Sequence, residues 1–381
     1  MQLRFDVRLD SMQAAFAASA NGRYLPALQY IRGLAALGVA YVHAVQLLPG
    51  GDASSFFGVI YPLTYLGAAG VDMFFILSGF LMCHLRETYA ARSSMHFLLA
   101  RAVRIVPIYW LYTLFFAALL ALAGKPESVP SLLQLAASLI FIPVMNNAGA
   151  YQPVLSVGWS LNYEFVFYIL FAAVLNVKSD WKRLGLLLVP VSALVSLYYQ
   201  FYLFEFLLGG LVFISHSWRI SCSAPVGSRT SKKAVLLAWL AIISIAFFML
   251  VTSRTVYSEG GLVRFFAWGV AGALLLYLML GLPYIDTSNR TPTSFLKRGL
   301  SWLGEISYSL YLTHWIVGMT LHKLLASSSW NLPVALRISI VFLLSIVFGH
   351  VLHRHVEQPL DRWLRKRLLG DRFQAPVVYR R

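Results

Sequence analysis

Long apolar runs separated by short polar loops occupy most of the chain. Runs over residues 234–251, 262–282 and 337–351 carry almost no charge, and about 20 apolar residues are enough for a helix to cross a bilayer. Ten such segments fall at residues 25–48, 59–84, 103–122, 156–177, 184–199, 201–215, 234–251, 262–282, 305–325 and 332–353. The pattern predicts an all-α polytopic membrane protein with about ten transmembrane helices.

Basic residues form short clusters that alternate with nearly uncharged loops. The clusters lie at Arg4, Arg8 and Arg23; at Arg86, Arg92, Arg101 and Arg104; at Lys178, Lys182 and Arg183; at Arg229, Lys232 and Lys233; at Lys297 and Arg298; and at Arg362, Arg365, Lys366 and Arg367. With ten spans they all face one side, which the positive-inside rule assigns to the cytoplasm. We therefore expect two cytoplasmic termini, with a tail over residues 1–24, a membrane domain over 25–356 and a basic tail over 357–381. The segment 132–144 is too short to cross and is expected to be re-entrant or interfacial.

The composition narrows the classes of function. Hydrophobic residues make up 59% of the chain and charged residues 12%, far from the averages of soluble domains. The net charge of +16 sits in the loop clusters, so no nucleic-acid partner is expected. The two cysteines, Cys83 and Cys222, imply neither a disulfide framework nor a thiolate metal site, and no metal is predicted. Residues 1–24 lack the apolar stretch of a signal peptide.

Two polar residues of the first span lie on one helical face. Arg32 and His43 are eleven positions apart, which is three helical turns plus roughly 20°, or about 16 Å along the axis. The predicted topology places Arg32 toward the cytoplasm and His43 toward the outer leaflet. Both could line one channel, although Arg32 could equally be a snorkelling anchor and His43 a hydrogen-bonded packing residue.

Further charges lie in or beside the second and third spans. Asp72 is a carboxylate inside a small-residue stretch of the second span, and Arg32 is its expected partner, in a site or in a purely structural ion pair. Arg101 and Arg104 lie one turn apart at the cytoplasmic end of the third span. Two guanidinium groups at this spacing would bind a phosphate, and they also satisfy the positive-inside rule.

The fourth and ninth spans contribute the remaining candidates. Glu164 is expected at the depth of His43, where a carboxylate could orient an imidazole, with Ser160 one turn away on the same face. His314 lies near mid-membrane, either in the same cavity or as a packed core histidine. The candidate substrate-binding residues are Asp72, Ser160, Tyr163 and His314.

Together these motifs resemble the integral-membrane acyltransferase-3 family. The resemblance rests on Arg32 and His43, on the run from Gly70 to Phe80, on Arg101 and Arg104, on Trp159, Ser160 and Glu164, on Tyr308, Ser309, Tyr311, Leu312 and His314, and on Glu357, Gln358 and Pro359. It covers about residues 24–365. Members of that family O-acylate exopolysaccharides, lipopolysaccharide O-antigens, Nod factors and related glycans.

The resemblance implies roles for particular residues. His43 is similar to the family's essential histidine, Arg32 to the basic residue before it, and Arg101 and Arg104 to its paired arginines. Some members carry an added esterase-like domain after the membrane part. Because this chain ends soon after the tenth span, a stand-alone enzyme of the exopolysaccharide O-acetyltransferase type is expected, in the bacterial inner membrane.

The expected reaction follows from that resemblance and from the charges. Arg101, Arg104 and Arg32 would hold acetyl-CoA by its phosphates, and His43 would act as a general base oriented by Glu164 or would itself accept the acyl group. The expected partners are membrane lipid, a glycan or lipid-linked oligosaccharide acceptor, and polysaccharide-assembly proteins. Intramembrane charges are also typical of a secondary transporter or glycolipid flippase, which is the alternative prediction, and a purely structural membrane subunit is a third.

Overall fold

The computed structural model describes residues 25–47, 61–90, 93–123, 129–146, 149–198, 200–222, 232–282, 294–327 and 332–369. The predicted tail 1–24, the end of the predicted tail 357–381 and most of the first outer loop lie outside the described residues. Within the described ranges the secondary structure is helical, apart from one isolated antiparallel bridge between Met145 and Tyr151. The all-α class predicted from the apolar runs is confirmed.

The helices follow the predicted apolar segments closely. They are α1 (Pro26–Gln46), α2 (Tyr61–Leu66), α3 (Ala69–Ala90), α4 (Ser94–Leu122), α5 (Leu132–Leu139), α6 (Trp159–Ala173), α7 (Asp180–Tyr198), α8 (Tyr202–Cys222), α9 (Lys232–Glu259), α10 (Gly261–Arg264), α11 (Ala271–Leu280), α12 (Phe295–Ser327), α13 (Val334–Leu352) and α14 (Gln358–Leu369). Two π-helical turns, Phe265–Val270 and His353–Glu357, join α10 to α11 and α13 to α14, and a 3₁₀ turn, Ser156–Gly158, precedes α6. Helix α14 therefore occupies the first part of the predicted basic tail.

Seven helical stretches in the described residues are long and apolar enough to cross a membrane. They are Thr64–Arg86, Ser94–Leu122, Asp180–Tyr198, Tyr202–Ile220, Lys233–Glu259, Gly261–Met279 and Val334–Leu369. Helices α1, α6 and α12 do not meet this criterion, and α6 has only 15 residues. These three helices carry Arg32, His43, Glu164 and His314. The chain is a multi-pass membrane protein whose least apolar helices bear the candidate site.

Helices α1 and α12 run parallel and in close contact. A Cβ atom added to Gly33 would lie 2.7 Å from Cβ of Leu303 and 2.8 Å from the backbone nitrogen of Gly304. His43 and His314 meet further along the same pair of helices. Gly33 and Gly304, like His43 and His314, are 271 positions apart, so the two helices keep one register over this length.

Helix α3 occupies the centre of the bundle, antiparallel to α1. Gly38 lies against Gly67, and Gly70 lies against the carbonyl of Ala35. Residues along α3 are 78% buried over its span, whereas those of α9 are 11% buried. The polar face of α1 is therefore enclosed by α3 and α12, and α9 lies at the periphery.

Candidate active site

A cavity of about 690 Å³, including its open part, lies between α1, α3, α4, α6 and α12. Its walls carry an unusual number of polar side chains for a membrane interior, namely Arg32, Ser78, Arg104, Ser160, Glu164, Tyr168, Ser307, Tyr308 and Tyr311. Polar groups at this depth are costly unless they are paired or serve a binding site. The cavity is therefore the candidate active site.

Two guanidinium groups and one carboxylate set the charge of the cavity wall. Arg32 on α1 and Arg104 on α4 border the cavity and are both buried. The Arg104 guanidinium lies 6.0 Å from the ring centre of Tyr308, whose hydroxyl donates to the carbonyl of Ile105 at 2.8 Å. With Glu164 ionised, the lining carries one net positive charge. A guanidinium pair of this kind suits an anionic ligand such as a phosphate ester.

Glu164 is held by hydroxyl groups of two helices. Its carboxylate accepts a hydrogen bond from Oγ of Ser78 on α3 at 3.0 Å and another from the hydroxyl of Tyr168, one turn further along α6. The expected contact between Glu164 and His43 is not among the hydrogen bonds of the described residues. Equal depth places two groups at one level, but their helices direct these two side chains to different neighbours.

His43 is instead paired with His314. Nδ1 of His43 lies 2.8 Å from Nε2 of His314, and Nδ1 of His314 lies 2.9 Å from the carbonyl oxygen of Leu310. A carbonyl can only accept, so His314 carries its proton on Nδ1 and presents a lone pair on Nε2. His43 must then donate from its own Nδ1. This arrangement leaves Nε2 of His43 without a proton, as a general base or nucleophile requires.

The histidine pair lies just beyond the outer end of the cavity. The ring of Tyr311, which borders the cavity, is 6.0 Å from the ring of His314. The hydroxyl of Tyr311 donates to the carbonyl of Val157 at 2.9 Å, so Oγ of Ser160 is the donor in the 2.7 Å contact between Ser160 and Tyr311. Trp315 packs edge-on against His43 with ring centres 5.1 Å apart.

Arg101 and Arg104 have different surroundings. Arg101 is 1% exposed, and its guanidinium lies 5.5 to 5.7 Å from the ring centres of Tyr89, Phe97 and Tyr168. It does not border the cavity. Tyr168 stands between Arg101 and Glu164, so the structure associates Arg101 with the wall behind the cavity and Arg104 with the cavity itself.

Asp72 pairs with a residue that was not among the sequence candidates. Arg264 donates from Nε to Oδ1 of Asp72 at 3.0 Å and from Nη2 to Oδ2 at 2.7 Å. The predicted partnership of Asp72 with Arg32 is wrong, because this bidentate pair already uses both carboxylate oxygens. An arginine inside an otherwise uncharged predicted span was the signal that could have found Arg264. Asp72 is fully buried and does not border the cavity.

The other candidates divide in the same way. Tyr163 does not border the cavity and packs among Phe75, Trp159 and Tyr202, whereas Ser160 borders it. The described residues contain no group of three or more His, Cys, Asp or Glu side chains that could hold a metal ion. The cavity residues Ser78, Tyr308 and Tyr311 lie inside the quoted motifs, and their polar character within apolar runs was the signal for them.

Comparisons with known proteins agree with this site. A family model described as an acyltransferase domain matches residues 25–354. The exopolysaccharide production protein ExoZ of Rhizobium meliloti is 32% identical over 263 residues, which cover 65% of this chain and 76% of that protein. The peptidoglycan O-acetyltransferase OatA of Listeria monocytogenes is 26% identical over 334 residues, 77% of this chain but only 49% of that protein. No solved structure is significantly similar to the chain. The chain belongs to the acyltransferase-3 family and is a membrane-embedded acyltransferase.

Proposed function

We propose that this protein moves an acetyl group from acetyl-CoA to a hydroxyl of a polysaccharide, oligosaccharide or glycolipid, in exopolysaccharide modification. The observation that carries the proposal is a buried cavity with two guanidinium groups in its wall and, just beyond its outer end, a histidine with a proton-free nitrogen. The names of the two relatives support an acetyl donor and a glycan acceptor.

Arg104 and Arg32 are the proposed ligands of the donor phosphates. Both are buried in the cavity wall, where a guanidinium binds a phosphate oxygen more strongly than it does in water. Arg32 and His43 are eleven residues apart on α1, about 16 Å along the axis. An extended pantetheine arm has a similar length, so the acyl carbonyl would arrive near the histidine pair. Arg101 supports this wall through Tyr168.

His43 is the proposed base. Its Nε2 takes the proton of the acceptor hydroxyl while the hydroxyl oxygen forms a bond to the acyl carbon. The carbon–sulfur bond then breaks, and the imidazolium returns the proton to the departing thiolate, so that ester and free coenzyme A are the products. His314 holds the tautomer of His43 throughout and accepts from Nδ1 in both charge states. Acceptance of the acyl group by Nε2 before transfer uses the same nitrogen, and a quenched acyl-histidine adduct would identify that route.

The topology and location are part of the proposal. Ten spans with both termini in the cytoplasm are supported by the parallel packing of α1 and α12, because the first and ninth spans must run in the same direction. The donor would then enter from the cytoplasm of a bacterial cell, across the inner membrane from the outer ends of α1 and α12. Membrane lipid, glycans and polysaccharide-assembly proteins are the proposed partners.

The test is release of free coenzyme A from acetyl-CoA by detergent-purified protein supplied with bacterial polysaccharides. Wild type should release it, His43→Ala should not, and His355→Ala, which changes an exposed histidine of the π-helical turn, should match wild type. Release by His43→Ala at the wild-type rate would reject the role of His43. If folded wild type releases none, the proposal fails, and the transporter or flippase alternative gains support.

A further inference from the structure

The outer end of the cavity is narrowed by two aromatic rings. Phe74 on α3 and Tyr311 on α12 both border the cavity, with ring centres 5.7 Å apart and planes at 68°. Phe74 also packs against the small residues Ala36 and Ala40 of α1. We call the pair Phe74 and Tyr311 the acyl constriction.

The acyl constriction lies between the two functional ends of α1. Ala36 and Ala40 fall between Arg32 and His43 in the sequence, and these four positions lie within roughly 60° of one another around the helix. Phe74 therefore covers the strip of α1 that leads from the guanidinium end of the cavity to the histidine. Tyr311 forms the opposite side, one turn before His314 on α12.

Both rings are firmly held. The hydroxyl of Tyr311 is fixed by Val157 and Ser160 at 2.9 and 2.7 Å, so the ring cannot swing aside without breaking two buried hydrogen bonds. Phe74 is wedged between that ring and the two alanines of α1. A close-packed interior does not open readily for an extra methylene group.

We infer that Phe74 and Tyr311 set the length of the acyl group and restrict the donor to acetyl. This inference rests on the proposed function. The carbonyl must enter the acyl constriction to meet a hydroxyl held at His43, so the rest of the acyl group must fit between the same rings. An acetyl group adds one methyl, whereas butyryl adds two further methylene groups. In apolar pockets each misfitting methylene costs about tenfold or more in specificity.

The experiment compares acetyl-, propionyl- and butyryl-CoA as donors for the purified full chain. We expect wild type to prefer acetyl over butyryl by about 100-fold or more in kcat/KM. Phe74→Ala should lower that preference to about tenfold or less, and Phe74→Leu should lie between the two. Because an inactive fraction lowers the rates with both donors equally, the ratio is insensitive to partial unfolding. Calorimetry should show tighter butyryl-CoA binding by Phe74→Ala than by wild type.

Phe80→Ala is the matched control. Phe80 is a fully buried ring on the same helix that packs against Phe213 and does not border the cavity. Its removal should cost stability and leave the donor ratio at the wild-type value. An unchanged ratio in folded Phe74→Ala, or equal use of acetyl and butyryl donors by wild type, would overturn the inference and leave the proposed function standing. Failure of folded wild type to release coenzyme A from all three donors would instead reject the proposed function, and the inference with it.

Discussion

Nε2 of His314 lies 2.8 Å from Nδ1 of His43, and the carbonyl of Leu310 holds the opposite nitrogen of His314 at 2.9 Å. One backbone carbonyl thus determines the proton positions of two imidazoles in sequence. The nitrogen of His43 that remains proton-free needs no carboxylate beside it. This relationship separates the tasks of His314 and Glu164, which the sequence treated as members of one group.

Replacement of His314 should reduce turnover more than donor binding. His314→Leu removes the acceptor that fixes the tautomer of His43, and we expect kcat to fall about 100-fold or more, the lower range for loss of acid–base catalysis. KM for acetyl-CoA should change little. His314→Gln, whose carbonyl can accept from His43, should retain more activity than His314→Leu. Equal rates for the two variants would show that His314 does not act through this hydrogen bond.

Glu164→Gln should be a milder change than His314→Leu. The glutamine oxygen can still accept from Ser78 and Tyr168, and the contact between His43 and His314 is left intact. We expect kcat to fall less than tenfold, measured by coenzyme A release. A loss as large as that of His314→Leu would instead assign Glu164 a direct part in the chemistry.

The two arginines of α4 should fail in different ways. Arg104→Ala removes a guanidinium from the cavity wall, and the loss of a charged hydrogen bond, about 1.5–3 kcal/mol, should raise KM for acetyl-CoA about 10- to 100-fold. Arg101→Ala removes a cation from among three aromatic rings, worth about 0.5–2 kcal/mol for each contact. It should lower the thermal midpoint and change KM less. The opposite pattern would place the phosphate at Arg101.

The ion pair between Asp72 and Arg264 should contribute to stability and not to donor binding. Removal of one partner leaves a buried charge, so Asp72→Leu or Arg264→Met alone should cost about 3–5 kcal/mol of unfolding free energy. The double variant should recover most of that loss, because it leaves neither charge unpaired. Thermal unfolding in detergent measures the cycle. A raised KM for acetyl-CoA in the stable double variant would return Asp72 to the substrate-binding group.

The sequence predicted where the helices lie better than it predicted which side chains meet. Apolar length alone placed α4, α9 and α13, because the cost of an unpaired backbone in lipid leaves few alternatives. Partners depend on the direction of a side chain around its helix, which depth does not give. Arg101 and Arg104 are three residues apart, or about 60° around the axis, and that angle directs one to an aromatic cluster and the other to the cavity.

Asp72 illustrates a second reason. Its partner Arg264 is 192 positions away, in a run that otherwise contains no charge. Arg32 was the nearer candidate in sequence, and only the packing of the π-helical turn and α10 against α3 brings Arg264 to the carboxylate. Single-sequence reasoning identifies a buried charge that needs a partner, but it cannot choose among distant ones.

The contact between Gly33 and Gly304 has a consequence at the far end of the same two helices. It lies ten residues before His43, about 15 Å along the axis. A methyl group added at either glycine would push the two helices apart there, and stiff helices would carry part of that displacement to the imidazoles. A hydrogen bond of 2.8 Å tolerates only a few tenths of an ångström before it weakens. The proton position on His43 is therefore under the control of two residues without side chains, three helical turns away from the reaction.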